Sequence, residues 1–301
     1  MDFFWQDTVP PAELRALLAA VAAVDGRPSL PDGAGVPGEF RGGAYLLARR
    51  GDTAVGVVHL NTRGDAAGRP VAELVVRPAD RGHGIGAELT SRLLDRIGIE
   101  PTETPGDRLR AWAHGDSPAA AALASRFGFR RARTMNRMRR DLVDLPAYSL
   151  PDGVTLRPFR PSQDEDAVTE VNHLAFEWHP EQGAMSADDV RAAEAEPWFD
   201  ADGLLLAVDA DDRLIGFHWT KVHPDAGDGR PTGEVYVVGV RPDAQGGGLG
   251  RGLTMAGLRH LRERRGMDRV MLYVESDNEA ALAVYAKLGF TLWDADVQYA
   301  H

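Results

Sequence analysis

The chain has 301 residues, 44% apolar and 26% charged, an ordinary balance for a globular protein and enough length for two cores of about 100–150 residues each. Its net charge of −11 excludes the basic surface that nucleic-acid phosphates require, and anionic lipid repels it for the same reason. It has no cysteine, which excludes a disulfide framework, thiolate-ligated zinc and a thiol nucleophile together.

No run of about 18 apolar residues occurs, and the stretch Met1 to Asp7 lacks the basic region of a secretion signal, so a cytoplasmic location is expected. The nine histidines show no HExxH spacing, and no metal is expected. The expected partner is a small molecule, with no nucleic acid or membrane, and the expected state is a monomer.

Pro10 to Asp25 reads as an amphipathic helix opened by prolines. Residues 26 to 43 are rich in Gly, Pro and Asp and read as a loop, unusually long unless it serves a function. Tyr45–Arg49 and Thr53–Leu60 read as antiparallel strands, and Val71–Val76 as a buried strand. A glycine-rich turn follows, then a helix with Ile85, Leu89, Leu93, Leu94 and Ile97 on one face. Leu109–His114 reads as a strand, Ser117–Arg126 as a helix and Arg133–Arg139 as a closing strand. Asp141 to Gly153, with Pro146 and Pro151, is the expected linker.

Beyond the linker the order repeats. A short strand at Val154–Pro158 leads to helices at Asp166–Phe176 and Ala187–Glu196, then to strands at Leu204–Asp209 and Leu214–Lys221. The strand Glu234–Val240 opens into a second glycine-rich turn and a helix. A strand at Val270–Glu275, a helix at Asn278–Leu288 and a strand at Leu292–Tyr299 close the chain.

Arg81, Gly84 and Gly86 match Gln245, Gly248 and Gly250 at one offset (245 − 81 = 164), and Gly128-Phe129 matches Gly289-Phe290 at nearly the same one (289 − 128 = 161). The halves, 1–140 and 154–301, are therefore expected to be copies of one α/β domain, each a mixed β-sheet flanked by helices. In each, a strand, a glycine-rich turn and a helix build a concave row of backbone N–H groups. Such a site holds phosphate oxygens through unsatisfied donors and the helix dipole.

The pattern resembles the GNAT superfamily of N-acetyltransferases, whose pyrophosphate-binding motif is Gln/Arg-x-x-Gly-x-Gly/Ala after a strand ending near proline. Both halves carry it, as Arg81-Gly-His-Gly-Ile-Gly86 and Gln245-Gly-Gly-Gly-Leu-Gly250. The second half adds Asn278-x-x-Ala281-x-x-x-Tyr285-x-x-x-Gly289-Phe290. The whole chain is similar to a tandem-domain branch of the superfamily in its glycine loops, linker position and length. The most specific segments are 176–183, 216–221, 234–240 and 272–278.

The resemblance implies two tandem GNAT-like acyltransferase domains using acetyl-CoA, one molecule per domain. It implies a catalytic C-terminal half, with the cysteinyl α-amine of a cysteinyl-glucosaminyl-inositol as acceptor. Implied cofactor contacts are Val238, Gly239 and Val240 on the strand, and Gln245, Gly246, Gly247, Gly248, Leu249, Gly250 and Arg251 at the loop and helix start. Further contacts are implied at Asn278, Glu279, Ala280, Ala281, Leu282 and Ala283. The first-half counterparts are Leu74, Val75, Val76, Gly82, His83, Gly84, Ile85, Gly86 and Ala87. Gly247 departs from the pattern, since similar proteins tend to carry arginine there.

An α-amino group has a pKa of about 7.7–8.0, so freeing it near pH 7 costs roughly 1 kcal/mol. A carboxylate can take the proton during attack. The resemblance gives that role to Glu234, and to Tyr285 the protonation of the departing thiolate. Read from the residues alone, Glu234 could be a solvated strand-end carboxylate, Tyr285 a core aromatic and Asn278 a helix cap. Asp32, Glu181, Lys221, Glu234 and Tyr273 match positions that bind the polyol acceptor, with Glu39 as a rival to Asp32. In the first half, Pro70 falls opposite Glu234 and Ala124 opposite Tyr285, so both proton-transfer groups are missing. Glu73, one register off, is the nearest substitute base. Three other readings stay open: acetylation of another small amine or protein N-terminus, a non-catalytic acetyl-CoA sensor, and a dinucleotide-binding oxidoreductase. Gly82-x-Gly84-x-x-Ala87 fits the last loosely, without the first parallel strand or ribose-binding acid it needs.

Overall fold

The computed structural model describes residues 1–25, 40, 42–65, 67–99, 106–177, 182–224 and 229–301. In chain order the elements are β1 (Asp2–Gln6), α1 (Pro11–Asp25), β2 (Ala44–Arg50), β3 (Thr53–Asn61), β4 (Val71–Val76), α2 (Ile85–Ile97), β5 (Arg110–Ala113), α3 (Pro118–Arg126) and β6 (Arg130–Asp141). There follow β7 (Thr155–Pro158), α4 (Glu165–Ala175), α5 (Ala187–Glu194), β8 (Leu204–Val208), β9 (Leu214–His223), β10 (Thr232–Val240), α6 (Leu249–Glu263), β11 (Arg269–Glu275), α7 (Glu279–Lys287) and β12 (Thr291–Ala300). They form two compact units, the first mainly Met1–Asn136 with Asp294–His301, the second mainly Arg137–Pro224 with Pro231–Trp293.

In the first unit the strand order is β1-β2-β3-β4-β5-β12, with β4 and β5 parallel. The period of two sorts its side chains. Leu46 and Val58 pack with Leu89 and Leu93 of α2 on one face, and Leu47 and Val57 with Leu14 and Leu17 of α1 on the other. Each such fully buried leucine contributes about 1.5–3 kcal/mol of apolar transfer. β1 has no counterpart among the elements expected from sequence. Its five residues carry three consecutive aromatics and so lack alternation, yet they pair with β2 from Asp2↔Arg49 to Gln6↔Tyr45.

The chain's repeats and the packed units do not share a boundary. Sequence order places the division after residue 140 with a linker at 141–153, whereas Arg137–Asp141 of β6 packs in the second unit. Residues 294–300 of β12 pack in the first, where Val297–Ala300 pair antiparallel with Ala113–Arg110. Side-chain burial holds these assignments. Val297 and Tyr299 join Ala113, Ala124 and Phe129, while Met138 and Leu142 join Leu272, Leu288 and Phe290.

In the second unit the order is β6-β11-β10-β9-β8-β7, with β10 and β11 parallel. α6 covers one face, through Leu253, Leu258 and Leu261, and α4 and α5 cover the other, through Val168, Val171 and Val190. α6 lies close to β9 because Gly257 leaves room for the ring of His218; a Cβ there would stand 2.1 Å from that ring. His218 is buried and donates Nδ1–H to the Leu253 carbonyl at 2.8 Å. Burial pushes its pKa down to about 4, outweighing that hydrogen bond, so the ring is neutral at pH 7.

Gly257→Ala should therefore destabilise the second unit by about 1–3 kcal/mol through overpacking, read as a lower denaturant midpoint with an unchanged slope.

Candidate active site

The two glycine loops have the same local geometry. In each a proline-led turn, Pro78–Asp80 or Pro242–Ala244, precedes the helix. The residue before the helix is a left-handed glycine, Gly84 at φ +80° and Gly248 at φ +85°. Gly82 and Gly246 are also left-handed. No side chain caps either helix, so the N–H groups of its first turn (Ile85, Gly86 and Ala87, or Leu249, Gly250 and Arg251) have no intrahelical acceptor. The first motif residue braces the loop in both cases. Gln245 donates Nε2–H to the Val240 carbonyl at 3.1 Å, and Arg81 donates Nε–H to the Val76 carbonyl at 3.0 Å. Arg81 also forms a two-pronged salt bridge with Asp25, both contacts 2.8 Å. Gly247 is not left-handed and a Cβ there would meet Pro151 at 3.7 Å, so the backbone does not demand glycine at that position.

Strand pairing opens a gap beside the second loop. β10 pairs with β11 only from Gly233↔Val270 to Val235↔Leu272, while its pairing with β9 continues to Val240↔Gly216. Beyond Val235, the edge of Val238, Gly239 and Val240 that faces away from β9 has no ladder partner in β11. The same parting occurs in the first unit after Glu73↔Trp112, beside Leu74, Val75 and Val76. The second unit adds a bulge at Tyr236, where Val235↔Thr220 is followed by Val237↔Trp219, while the equivalent β3–β4 pairing of the first unit is regular. A bulge inserts one residue and changes which face later side chains meet. Val235 accordingly packs with Leu258 and Leu261 of α6, whereas Val237 packs with Val190 on the α4–α5 face. Val238 and Val240 then return to the α6 face beside Leu249.

Three proposed acceptor residues share the α4–α5 face. Glu234 sits between its register partners Lys221 and Met271, and Tyr273 follows two residues after Met271. Glu234 is 5% exposed. One carboxylate oxygen, Oε2, accepts Nε2–H of His223 at 2.6 Å, and among the described residues Oε1 accepts nothing. Sequence reasoning does not single out His223, which belongs to no motif; its signal is its place two residues after Lys221, on the same side of β9. The Lys221 ammonium lies over the rings of Trp198 (4.4 Å) and Tyr236 (5.0 Å), a cation–π seat that holds it without an ion pair to Glu234. Trp219 and Tyr236 meet edge to face, and beside them lies a hollow of about 260 Å³ bounded also by Gln182, Met185 and Asp189. Tyr273 is 37% exposed, with the Arg137 guanidinium 5.7 Å from its ring.

Tyr285 lies on the opposite face. Its ring packs with the Leu272 and Val235 core and meets Phe290 edge to face, so the core-aromatic role is real. Burial pushes its phenol up to about 12. Asn278 does cap α7: its Oδ1 accepts the Ala281 N–H at 3.0 Å, and the Leu282 N–H goes to its carbonyl. Those two N–H groups are therefore committed, as is that of Glu279, which goes to the Asp277 carbonyl at 3.0 Å. Asp32, Glu39 and Glu181 lie outside the described residues. A larger hollow, about 600 Å³, sits at the C-terminal end of α6. There His260 and Arg265 already donate to Asp200, and the helix end has the wrong polarity for phosphate.

The first unit has a different constellation. Met271, paired with Glu234, corresponds at the later offset to Arg110 (271 − 161 = 110), and Arg110 pairs with Val71. The counterpart of Glu234 is therefore Val71, not Pro70, because the Tyr236 bulge shifts the count by one. Ala124 is in α3, equivalent to α7, and is buried. Glu73 is buried and engaged, accepting from His114 Nε2 at 3.0 Å, while Asp296 stands 3.5 Å from Nδ1 and accepts the Gly115 N–H at 3.0 Å. Burial by itself would lower the His114 pKa. The Glu73 charge, hydrogen bonds to Asp296 and Glu73 and the Asp296 charge outweigh it and push the ring up to about 10, with 40% of the side chain exposed.

The described helices include none long and apolar enough to cross a membrane. A family model described as "Acetyltransferase (GNAT) family" matches residues 25–129 and 168–290. A protein from Saccharomonospora viridis named "Mycothiol acetyltransferase" is 54% identical over 96% of this chain and 94% of its own. One of the same name from Actinosynnema mirum is 53% identical over 99% of each chain. Among solved structures, a GCN5-related N-acetyltransferase from Sphaerobacter thermophilus superposes with TM-score 0.69 at 24% identity, covering 99% of this chain and 95% of that one. A tandem GNAT protein from the clavulanic acid biosynthesis pathway gives 0.68 at 20%, covering 100% and 98%.

Two outcomes follow from this geometry. Gly248→Ala forces a side chain into the left-handed region at about 1–2 kcal/mol and should weaken acetyl-CoA binding roughly tenfold by calorimetry, whereas Gly247→Ala should leave it unchanged. The raised pKa of His114 means that its stabilising contribution is full below pH 6.5 and lost as the pH climbs through about 10. The melting deficit of His114→Gln relative to the parent should therefore shrink steadily across that window.

Proposed function

The chain belongs to the GNAT acetyltransferase family, and on that premise we propose that it acetylates the cysteinyl α-amine of a cysteinyl-glucosaminyl-inositol with acetyl-CoA, completing mycothiol. The observation that carries the reading is Glu234, a buried carboxylate beside the parted strands with one oxygen held by His223 and the other open. The names borne by relatives about half identical over nearly the whole chain support this acceptor over other amines.

The second-unit residues suit acetyl-CoA. The first turn of α6 offers uncapped N–H donors to a pyrophosphate, and the free edge at Val238, Gly239 and Val240 offers backbone groups to an amide-bearing arm. When bound, acetyl-CoA supplies the thioester carbonyl and a thiolate leaving group. Glu234 takes the proton of the attacking amine through Oε1. Tyr285, on the other face, presents its phenol to the departing sulfur. Against a thiol of pKa about 8.5, a phenol near 12 is the weaker acid by roughly 5 kcal/mol. The phenol of the free protein therefore acts first as a hydrogen-bond donor, and complete proton transfer needs the changed charge of the loaded site.

The acceptor's place is the α4–α5 face. Trp198 and Tyr236 present ring surface there, and Lys221, seated between them, is a fixed donor for hydroxyl groups. Glu181, Tyr273 and Asp32 are proposed as further acceptor contacts. The first unit keeps an uncapped glycine-loop helix and a strand gap, so we assign it acetyl-CoA binding. With Val71 and Ala124 at the two proton-transfer positions and Glu73 tied to His114, it is assigned no transfer of its own.

Glu234→Gln should lower kcat by about 10²–10⁴ and Tyr285→Phe by a smaller factor, both with acetyl-CoA affinity within about twofold of the parent. Assay against the cysteinyl pseudo-disaccharide, an aminoglycoside and a peptide N-terminus tests the acceptor; equal rates on all three would overturn it. Tight acetyl-CoA binding with no transfer to any amine would instead identify a sensor.

A further inference from the structure

The buried pairing of His223 with Glu234 bears on a step that acetyl transfer alone leaves open. An α-ammonium that becomes an amide loses two protons from nitrogen. The departing sulfur takes up one, so one must reach water in every turnover. Glu234 receives protons on a side chain that is 7% exposed, and a carboxyl left protonated there would block the next cycle.

We infer that His223 is a positioning residue that also relays protons. At rest its Nε2–H fixes Oε2 so that Oε1 faces the amine. Once Glu234 is protonated, the carboxyl turns its O–H to the imidazole in its Nδ1–H form, which accepts at Nε2 and releases Nδ1–H to water, restoring the resting pair. The inference rests on reading Glu234 as the base. Its support is geometric. Nε2 of His223 is 2.6 Å from Oε2, and its side chain is 19% exposed at the end of β9, against 7% for Glu234, so His223 is the more accessible member of the pair. An imidazole can accept a proton on one nitrogen while releasing one from the other.

The other charged and titratable groups nearby are placed for different work. Lys221, directly opposite Glu234, points its ammonium at the Trp198 and Tyr236 rings. Tyr236 is held protonated, its pKa raised by burial and then by the Glu234 charge. On β11, Arg269 donates Nε–H to Thr232 at 2.6 Å, and Thr232 is the register partner of His223. Arg269 braces the strand end and, as an always-protonated guanidinium, does not relay a proton.

The test compares His223→Ala, His223→Gln and Glu234→Gln. Expected for His223→Ala is a 10- to 100-fold loss in kcat, acetyl-CoA affinity within twofold, an unchanged melting midpoint and partial restoration by added imidazole. His223→Gln keeps a donor for Oε2, so its KM for the amine should return towards the parent's while kcat stays low. In the free protein, the His223 ring ¹⁵N shifts should move on Glu234→Gln. Parent-like kcat in His223→Ala alongside an inactive Glu234→Gln would overturn the inference. So would equal losses in both His223 variants that imidazole does not relieve. A fully active Glu234→Gln is distinguishable from either and would bring down the base assignment itself.

Discussion

Three rungs of parallel pairing, Gly233↔Val270 to Val235↔Leu272, fix the geometry of the second unit. Where they stop, one edge of β10 is left without a ladder partner in β11 beside the glycine loop. The bulge at Tyr236 is tied to that parting. It lets Glu234 and Val237 share one face while Val238 and Val240 reach α6 on the other. Glu234 lies on the α4–α5 face of this sheet, while Tyr285 packs with Val235 and Leu272 on the α6 face.

The electrostatics of the site follow from how few contacts each group is given. Lys221 is adjacent to Glu234 in register, yet its ammonium is seated on aromatic faces and forms no salt bridge with the carboxylate. His223 supplies one hydrogen bond and leaves an oxygen free. The first unit shows the opposite arrangement. Its carboxylates, Glu73 and Asp296, flank His114, and a group so engaged stabilises the strands around it and is poorly placed to accept a proton from a ligand.

Much of this is legible in the sequence. Both glycine loops, their left-handed positions and the flanking strands and helices follow from residue chemistry and a constant offset. Glu234, Lys221 and Tyr273 come from separate strands and are named by resemblance; the structure puts them on one face. The rest is hidden for identifiable reasons. A bulge leaves no mark when the residues around it, Val235, Tyr236 and Val237, all favour strands, so counting along the chain matches Pro70 where Val71 belongs. His223 lies eleven residues from its partner, and only the register of β9 against β10 joins them. The assignment of β6 and β12 is invisible because either strand could close either copy; long-range burial of Val297 and Met138 decides it.

That assignment of strands has a consequence for how the polypeptide is made. Ala113 waits for Val297, a separation of 184 positions (297 − 113), before its ladder is complete. While the ribosome is still translating the intervening codons, the outer margin of β5 has no neighbour, and such a bare margin recruits stray chains. The nascent N-terminal fold thus depends on residues translated long after it, and a gene cut between the two copies would encode a first fold with a missing rib.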